Sequence, residues 1–559
     1  DESLKTLPEP PAGAAFNAEE QAKYRDFKEA RRGAADYMAM EGEFSKYLED
    51  VYSADPVPRE ALTDECEILV VGAGFAGLLL WHKLREAGFN DVRFCEKGGD
   101  VGGTWYWNRY PGCRCDVDSL EYSYSFANDL QQEWHWPERY GTQPEILKYV
   151  NHVADRFDLR RYIQFNTRVT SAVFDTNSNL WTVTTDQNGI IRAPFCVMAT
   201  GNLSTPRKPD FPGIDDFQGE WYHTGLWPHE GVDLTGLRVG IIGTGSSGVQ
   251  SIPHIAAQAK HLHVFQRTAN FSLPARNEPM NAQTELTHKA EYPVRRKAAY
   301  DTPFGIAGYP LPDKSALEVS ADERDQIYER KWEQGGSISF LYSFNDLLTN
   351  KAANDTASEF VRQKIRSTVK NQEVAELLAP HTHPMGTKRL ILDTNYYETY
   401  NRDNVTLVDV KSAPIEEITK TGLRTAQAGY ELDAIVFATG FDAMTGAMLD
   451  IDIRVEGGPS LKEAWSAGPR TYLGLMIAGF PNLFMIMGPG SPSVKAQMIL
   501  GAEQHTDWIA ECLQHLRSRE LSRVEATAEA EEDWVIHVKE VADSTLYPLA
   551  NSWYLGANI

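Results

Sequence analysis

The pattern of apolar and polar positions divides the chain into regimes. Residues 1 to about 60 are polar: the loop "EPPAGAAFN" precedes a stretch whose apolar stripe holds Tyr24 and Phe27. Asn17 followed by Glu20 has capping-box spacing and predicts a polar helix over about 18–50, packed on the main body, with "DPVPRE" as a linker. From Glu67 the pattern changes to a solid apolar run, a glycine turn and an amphipathic stretch, "EILVVGAGFAGLLLWHKLREAG". That predicts a buried strand, a tight turn and a helix ending at Gly88. "DVRFCEK" follows as a second strand. The same succession returns in "LRVGIIGTGSSGVQSIPHIA" and "HLHVFQRT". Residues from about 285 to 380 are helical and polar, with Val361, Ile365 and Val369 four apart and Pro380 after them. Two more apolar runs, "FCVMATG" and "AIVFATGFD", end in Ala-Thr-Gly, which puts small residues where backbone can pass close to a ligand.

The two glycine turns carry chemistry. Gly72, Gly74 and Gly77 form G-x-G-x-x-G between strand and helix, and Glu96 ends the next strand 19 residues after Gly77. The first glycine allows the turn, the second admits a pyrophosphate, and the third lets helix and strand pack. The helix N-terminus then faces the anion, and Glu96 is placed for ribose hydroxyls. Gly243, Gly245 and Gly248 repeat the motif, but Gln266, Arg267 and Thr268 stand where the first unit has its acid. A carboxylate there would repel a 2′-phosphate, and a guanidinium attracts it. The first site therefore reads as FAD or NAD, and the second as NADP.

These units predict an α/β fold of two Rossmann-like dinucleotide-binding domains, with a helical insertion and an N-terminal helical extension. The expected division is 1–61 for the extension and linker, and 62–205 for the first part of the FAD domain. The NADP domain spans 206–429 with the insertion at about 285–380, and 430–559 returns to the FAD domain.

Composition narrows the function. A net charge of −24 disfavours nucleic acid and anionic lipid as partners, and makes cations beside glycine turns the natural anion sites. The longest apolar run, Ile68 to Trp81, has 14 residues, too few to span a bilayer. No leader is visible, so the expectation is a cytoplasmic protein without membrane attachment; oligomeric state is left open, and a monomer is compatible. Six cysteines occur without a C-x-x-C. Cys113 and Cys115, like His381 and His383, lack further ligands nearby, so no metal is expected.

Two longer motifs remain. Phe217, Gly219, His223, Trp227 and Pro228 form F-x-G-x-x-x-H-x-x-x-W-P between the two units, and "GGTWYWNRYPGCRCD" runs from Gly102 to Asp116. Together these resemble the signatures of Baeyer–Villiger monooxygenases over roughly residues 62–559. The resemblance implies FAD and NADPH as cofactors, and insertion of one oxygen atom of O₂ beside a ketone carbonyl through a C4a-peroxyflavin, giving an ester or lactone. It assigns Gly103, Thr104, Trp105 and Tyr122 to FAD, and Lys388 with Arg267 and Thr268 to the NADP 2′-phosphate. Arg389 becomes the catalytic cation and Asp116 its carboxylate partner, with Arg109 and Arg402 as nearby cations that could be mistaken for it. A permanent positive charge in a water-excluding site is what a deprotonated peroxide needs. His223 reads as a structural link between the domains, with Phe217 and Trp227 wedging the crossing. Trp553 falls on a mobile loop that closes over NADP and substrate. The chain stops at Ile559, where relatives usually continue for some tens of residues. The alternatives are a flavin N- or S-hydroxylating monooxygenase, an uncoupled NADPH oxidase, or a non-catalytic nucleotide sensor. The ketone itself is not written in the motifs.

Overall fold

The all-apolar runs become strands buried on both faces, as parallel sheets covered by helices require. Ile68–Val71, Phe195–Met198 and Ala434–Phe437 are buried at every position. The structure, a computed structural model, describes residues 37–38, 50, 63–206, 208–491, 496–550, 552 and 554. The predicted helix at 18–50, apart from 37–38 and 50, lies outside the described residues, as do the linker and Trp553. Tyr37–Met38 is a strand, not helix: its backbone pairs antiparallel with Lys208–Pro209, which satisfies groups a helix would have satisfied internally.

Two five-stranded parallel sheets form the frame. In the first, the order is Leu483–Met485, Phe195–Met198, Ile68–Val71, Val92–Cys95, Ile163–Gln164. In the second, it is Glu220–His223, Ala434–Phe437, Arg238–Ile242, His261–Gln266, Val405–Asp409. The chain leaves the first sheet after Met198 and re-enters it at Leu483. Ala434–Phe437 lies beyond residue 429, yet its hydrogen bonds put it inside the second sheet, so that sheet runs to Phe437. A third sheet, Thr63–Glu65, Ile190–Ala193, Leu180–Thr185, Val169–Asp175 and Asp452–Val455, packs beside the first; Leu69, Cys196, Phe174 and Trp181 share one apolar cluster. The insertion is helical at Ala282–Ala299, Ala321–Gln334, Ser337–Leu341, Lys351–Thr368 and Gln372–Leu378. Val361 and Ile365 face its core. Among the described residues, no helix is long and apolar enough to cross a membrane.

The Ala-Thr-Gly endings close on the glycine turns. A Cβ on Gly72 would stand 2.4 Å from the Ala199 carbonyl oxygen, and one on Gly243 would stand 2.4 Å from that of Ala438. Both glycines have positive φ, +107° and +111°. Each sheet thus brings a neighbouring strand end against its turn, with no room for a side chain between them. Gly245 differs: a Cβ there meets nothing within 4 Å. Gly243→Ala is expected to destabilise the protein by roughly 1–3 kcal/mol through strain and carbonyl contact, while Gly245→Ala unfolds at the wild-type temperature. Thermal unfolding of both variants checks this, and equal losses would contradict it.

Candidate active site

Helix starts distinguish the two glycine turns from most helices of the insertion. The helices at Ala282, Ala321, Lys351 and Gln372 are capped by the side chains of Asn281, Ser320, Asn350 and Asn371. Phe75–Glu86 and Ser246–Gln258 begin at Gly74 and Gly245 with no side-chain cap and no acid in the first turn. Their first N–H groups and positive dipole ends therefore suit an anion. Gly103 lies against Gly74 so closely that a Cβ on it would be 2.9 Å from the Gly74 Cα, which leaves two bare backbones side by side. Gly103 also precedes the short helix Thr104–Trp107. In that helix Trp105 is buried and donates through Nε1 to the Tyr122 hydroxyl at 3.0 Å. Glu96, 6% exposed, accepts from the Ala73 and Gly98 amides at 2.7 Å each. Burial raises its pKa against those two bonds. Asp50 ties the N-terminal extension here, accepting from the Tyr106 hydroxyl at 2.6 Å.

Around the second turn, Arg267 is exposed just past the strand His261–Gln266. The Thr268 carbonyl accepts from the Thr244 hydroxyl at 3.1 Å. The segment after Thr268 runs beside the one carrying Lys388 and Arg389. Asn270 donates to the Arg389 carbonyl at 3.3 Å, and Ser272–Pro274 pairs parallel with Ile391–Asp393. The structure thus places Arg267, Thr268, Lys388 and Arg389 on two adjoining segments.

Arg389 and Asp116 meet across 273 residues of chain. Nε donates to Oδ2 at 2.9 Å and an η nitrogen donates to Oδ1 at 2.6 Å, a bidentate fork. Burial works against the charge, but Asp116 beside it, with smaller help from Tyr554, holds the guanidinium pKa above its ordinary value. The rival cations are engaged elsewhere. Arg109 bonds the Tyr106 carbonyl and the His229 ring, both at 2.8 Å, and lines a cavity of about 200 Å³ with Pro111 and Trp227. Arg402 is exposed, with Nε on Asn404. Tyr554, which the sequence does not single out, hydrogen-bonds Arg389; its neighbour Trp553 was the visible signal. Burial, opposed by Arg389, pushes its phenol up to about 12. Among the described residues no three His, Cys, Asp or Glu side chains gather as metal ligands. His381 sits 3.6 Å from Glu376.

The signature residues sit where the chain enters the second sheet. His223 ends the strand Glu220–His223 and is 1% exposed. Its Nδ1 accepts the Gly225 amide at 3.0 Å, its Nε2 lies 3.5 Å from the Thr439 hydroxyl, and Phe441 meets its ring edge-on. Burial pulls its pKa down to about 4, so the ring is neutral near pH 7. It joins the entering strand to the second Ala-Thr-Gly ending. A Cβ on Gly219 would strike the Asp433 carbonyl at 2.5 Å and the Phe217 ring at 2.6 Å. Trp227, 3% exposed, packs on Tyr222, and the Pro228 carbonyl closes a turn with Gly231.

This ring gives a pH test. Folded His223 stays neutral down to about pH 4, whereas in the unfolded chain it takes a proton below about pH 6.5. Stability is therefore lost as pH falls through that window, by up to about 3 kcal/mol for this ring. His223→Gln should lose less stability than wild type between about pH 7 and about pH 5. Thermal unfolding at both values checks it, and parallel losses would contradict it.

The family profile described as pyridine nucleotide-disulphide oxidoreductase matches residues 69–283. The chain is 43% identical to the 2-oxo-Δ³-4,5,5-trimethylcyclopentenylacetyl-CoA monooxygenase of Pseudomonas putida, over 89% of this chain and 92% of that protein. It is 42% identical to the cyclopentanone 1,2-monooxygenase of a Comamonas strain, over 90% and 91%. A solved oxidized steroid monooxygenase bound to NADP superposes with a TM-score of 0.85 at 54% identity, covering 88% of this chain and 94% of that one. Fold, paired glycine turns and these likenesses agree: the chain belongs to the Baeyer–Villiger monooxygenases, oxidoreductases that use FAD and NADPH.

Proposed function

We propose that this enzyme inserts one atom of O₂ beside the carbonyl of a ketone, and that Arg389 with Asp116 is its catalytic pair. The observation that carries the reading is the bidentate Asp116–Arg389 fork, joined from two distant segments. Bound FAD would supply oxygen activation once NADPH has delivered hydride. The residues fit both cofactors: two uncapped helix N-termini, the bare Gly74–Gly103 approach, and the open space before Gly245. Gly72, Gly74, Gly77, Glu96, Gly103, Thr104, Trp105 and Tyr122 would hold FAD. Gly243, Gly245, Gly248, Arg267, Thr268 and Lys388 would hold NADP, with Arg267 and Lys388 supplying charge for the 2′-phosphate.

Arg389 puts a permanent cation where negative charge develops on oxygen, and Asp116 fixes its plane beforehand, so little reorganisation is left for the reaction. The Arg389 and Asp116 side chains are 29% and 19% exposed, so the pair is largely shielded from water. His223, neutral and bonded on both nitrogens' sides, holds the domain crossing and moves no proton. The NADP domain runs from 206 through Phe437, and the FAD domain comprises 62–205 with the chain that re-enters the first sheet at Leu483. The likeness to a steroid monooxygenase favours a bulky polycyclic ketone as the first substrate to try, with small cyclic, linear and aryl ketones beside it.

Wild-type enzyme under labelled O₂ is expected to place one labelled atom in an ester per NADPH oxidised. Arg389→Ala should still consume NADPH, lose ester formation by at least roughly a hundredfold and release H₂O₂. Product analysis checks this; undiminished ester from that variant would sink the assignment, and oxygenated amines or sulfides with no ester from wild type would favour the hydroxylase alternative. Arg267→Ala should raise KM for NADPH roughly ten- to hundredfold, the worth of a charge-assisted phosphate contact, and leave KM for NADH unchanged. Equal changes for both nucleotides would contradict the placement of the 2′-phosphate.

A further inference from the structure

The segment carrying Arg267 and Thr268 and the segment carrying Lys388 and Arg389 are joined by little backbone. Ser272–Pro274 and Ile391–Asp393 form a separate two-stranded parallel sheet, three residues on each side. An isolated pair of this length is marginal, and parallel pairing is the weaker kind. Side chains must therefore fix it.

Ser272, fully buried, opens the joint opposite Ile391. Its hydroxyl donates to the Asp393 carboxylate, and its amide donates to the Tyr397 hydroxyl at 3.3 Å. Asp393 also accepts the Tyr396 amide at 3.3 Å and so starts the turn Tyr396–Thr399. The Asp393 carbonyl accepts the Ala275 amide at 2.9 Å. Asp393 thus bonds to both segments and to the following turn. Upstream, two more bonds continue the seam: Asn270 to the Arg389 carbonyl, and Thr244 of the glycine turn to the Thr268 carbonyl.

We propose that Asp393, through Ser272, is a positioning residue that locks the NADP-phosphate segment to the Arg389 segment, so that one joint sets both the nucleotide grip and the catalytic cation. The proposal rests on the reading of Arg389 given above.

Its surroundings give the joint a second signature. The groups facing the carboxyl are Ser272, Tyr396, Tyr397 and Glu398, with Arg276 a weaker influence that pairs with Glu333 at 3.1 Å. Burial pushes the Asp393 pKa up to about 7, against the Ser272 and Tyr396 bonds. A carboxyl whose pKa is raised on folding contributes stability at low pH that is lost as pH rises to its folded value.

The test uses the FAD-loaded enzyme. Titration with NADP⁺, followed by protein fluorescence, gives Kd without turnover; ester formed per NADPH oxidised reports on Arg389. Ser272→Ala and Asp393→Leu should each raise Kd for NADP⁺ roughly five- to tenfold, the worth of one hydrogen bond, and lower ester per NADPH. Asp393→Asn, which keeps shape and an acceptor oxygen, should restore both to within about twofold. Its melting temperature relative to wild type should rise between about pH 5 and about pH 7. Variants that melt lower with unchanged Kd and unchanged ester per NADPH would overturn the proposal, as would an Asp393→Asn variant as impaired as Asp393→Leu. Raised Kd with unchanged ester per NADPH would uphold the joint and place the failure in the role given to Arg389. Should Asp393→Leu not fold, Ser272→Ala decides.

Discussion

A carboxylate and a guanidinium 273 residues apart in the chain share a bidentate contact, and the rest of the structure is arranged to keep them there. Neither partner is stable alone in such a place. A partly buried guanidinium without its counter-ion carries a desolvation cost, and so does a carboxylate without its cation. Asp116 comes from the loop after the first glycine unit and Arg389 from the segment that follows the insertion in the second. The fork closes only if these two segments are brought together. That requirement is shared with ligand binding in open α/β sheets, where sites form beyond the strands' carboxyl ends.

Several contacts serve this one constraint. The Ala-Thr-Gly endings press their carbonyls onto Gly72 and Gly243, fixing each turn relative to a neighbouring strand. His223 connects the entry to the second sheet with its exit at Thr439 and Phe441, using a ring kept neutral by burial. A protonated ring there would be an unpaired buried charge, so the same burial that makes it a firm link makes it a poor proton carrier. The seam from Thr244 through Asn270 to Asp393 joins the segment after Thr268 to the segment that carries Arg389. On the proposed reading, nucleotide grip and cation placement share these bonds.

Much of this was legible in the sequence because it is local. A glycine that must sit under a carbonyl, an apolar run buried on both faces, and an acid or arginine just past a strand all leave marks within twenty residues. The two Rossmann-like units and the helical insertion were readable for that reason. Arg389 was not: among Arg109, Arg402 and itself, only resemblance to a family picked it out, and the three differ in what they touch. The return into the first sheet was drawn too early, at 429, because "AIVFATGFD" carries no mark of which sheet it joins; pairing with Trp221 and Ile241 decides that. Tyr37–Met38 likewise pairs with a strand far along the chain. Tyr554 on Arg389 and Ser272 on Asp393 are contacts between distant segments, and single-sequence patterns do not report them.

On the proposed reading, Asp116 and Arg389 act as one unit. A double-mutant cycle with Asp116→Asn and Arg389→Lys, read as kcat/KM for ester formation, measures that directly. If they act as one unit, each single change costs most of the activity and the double variant is hardly worse than either. Losses that simply multiply would mean that the two groups work independently, and the fork would then be a structural ion pair.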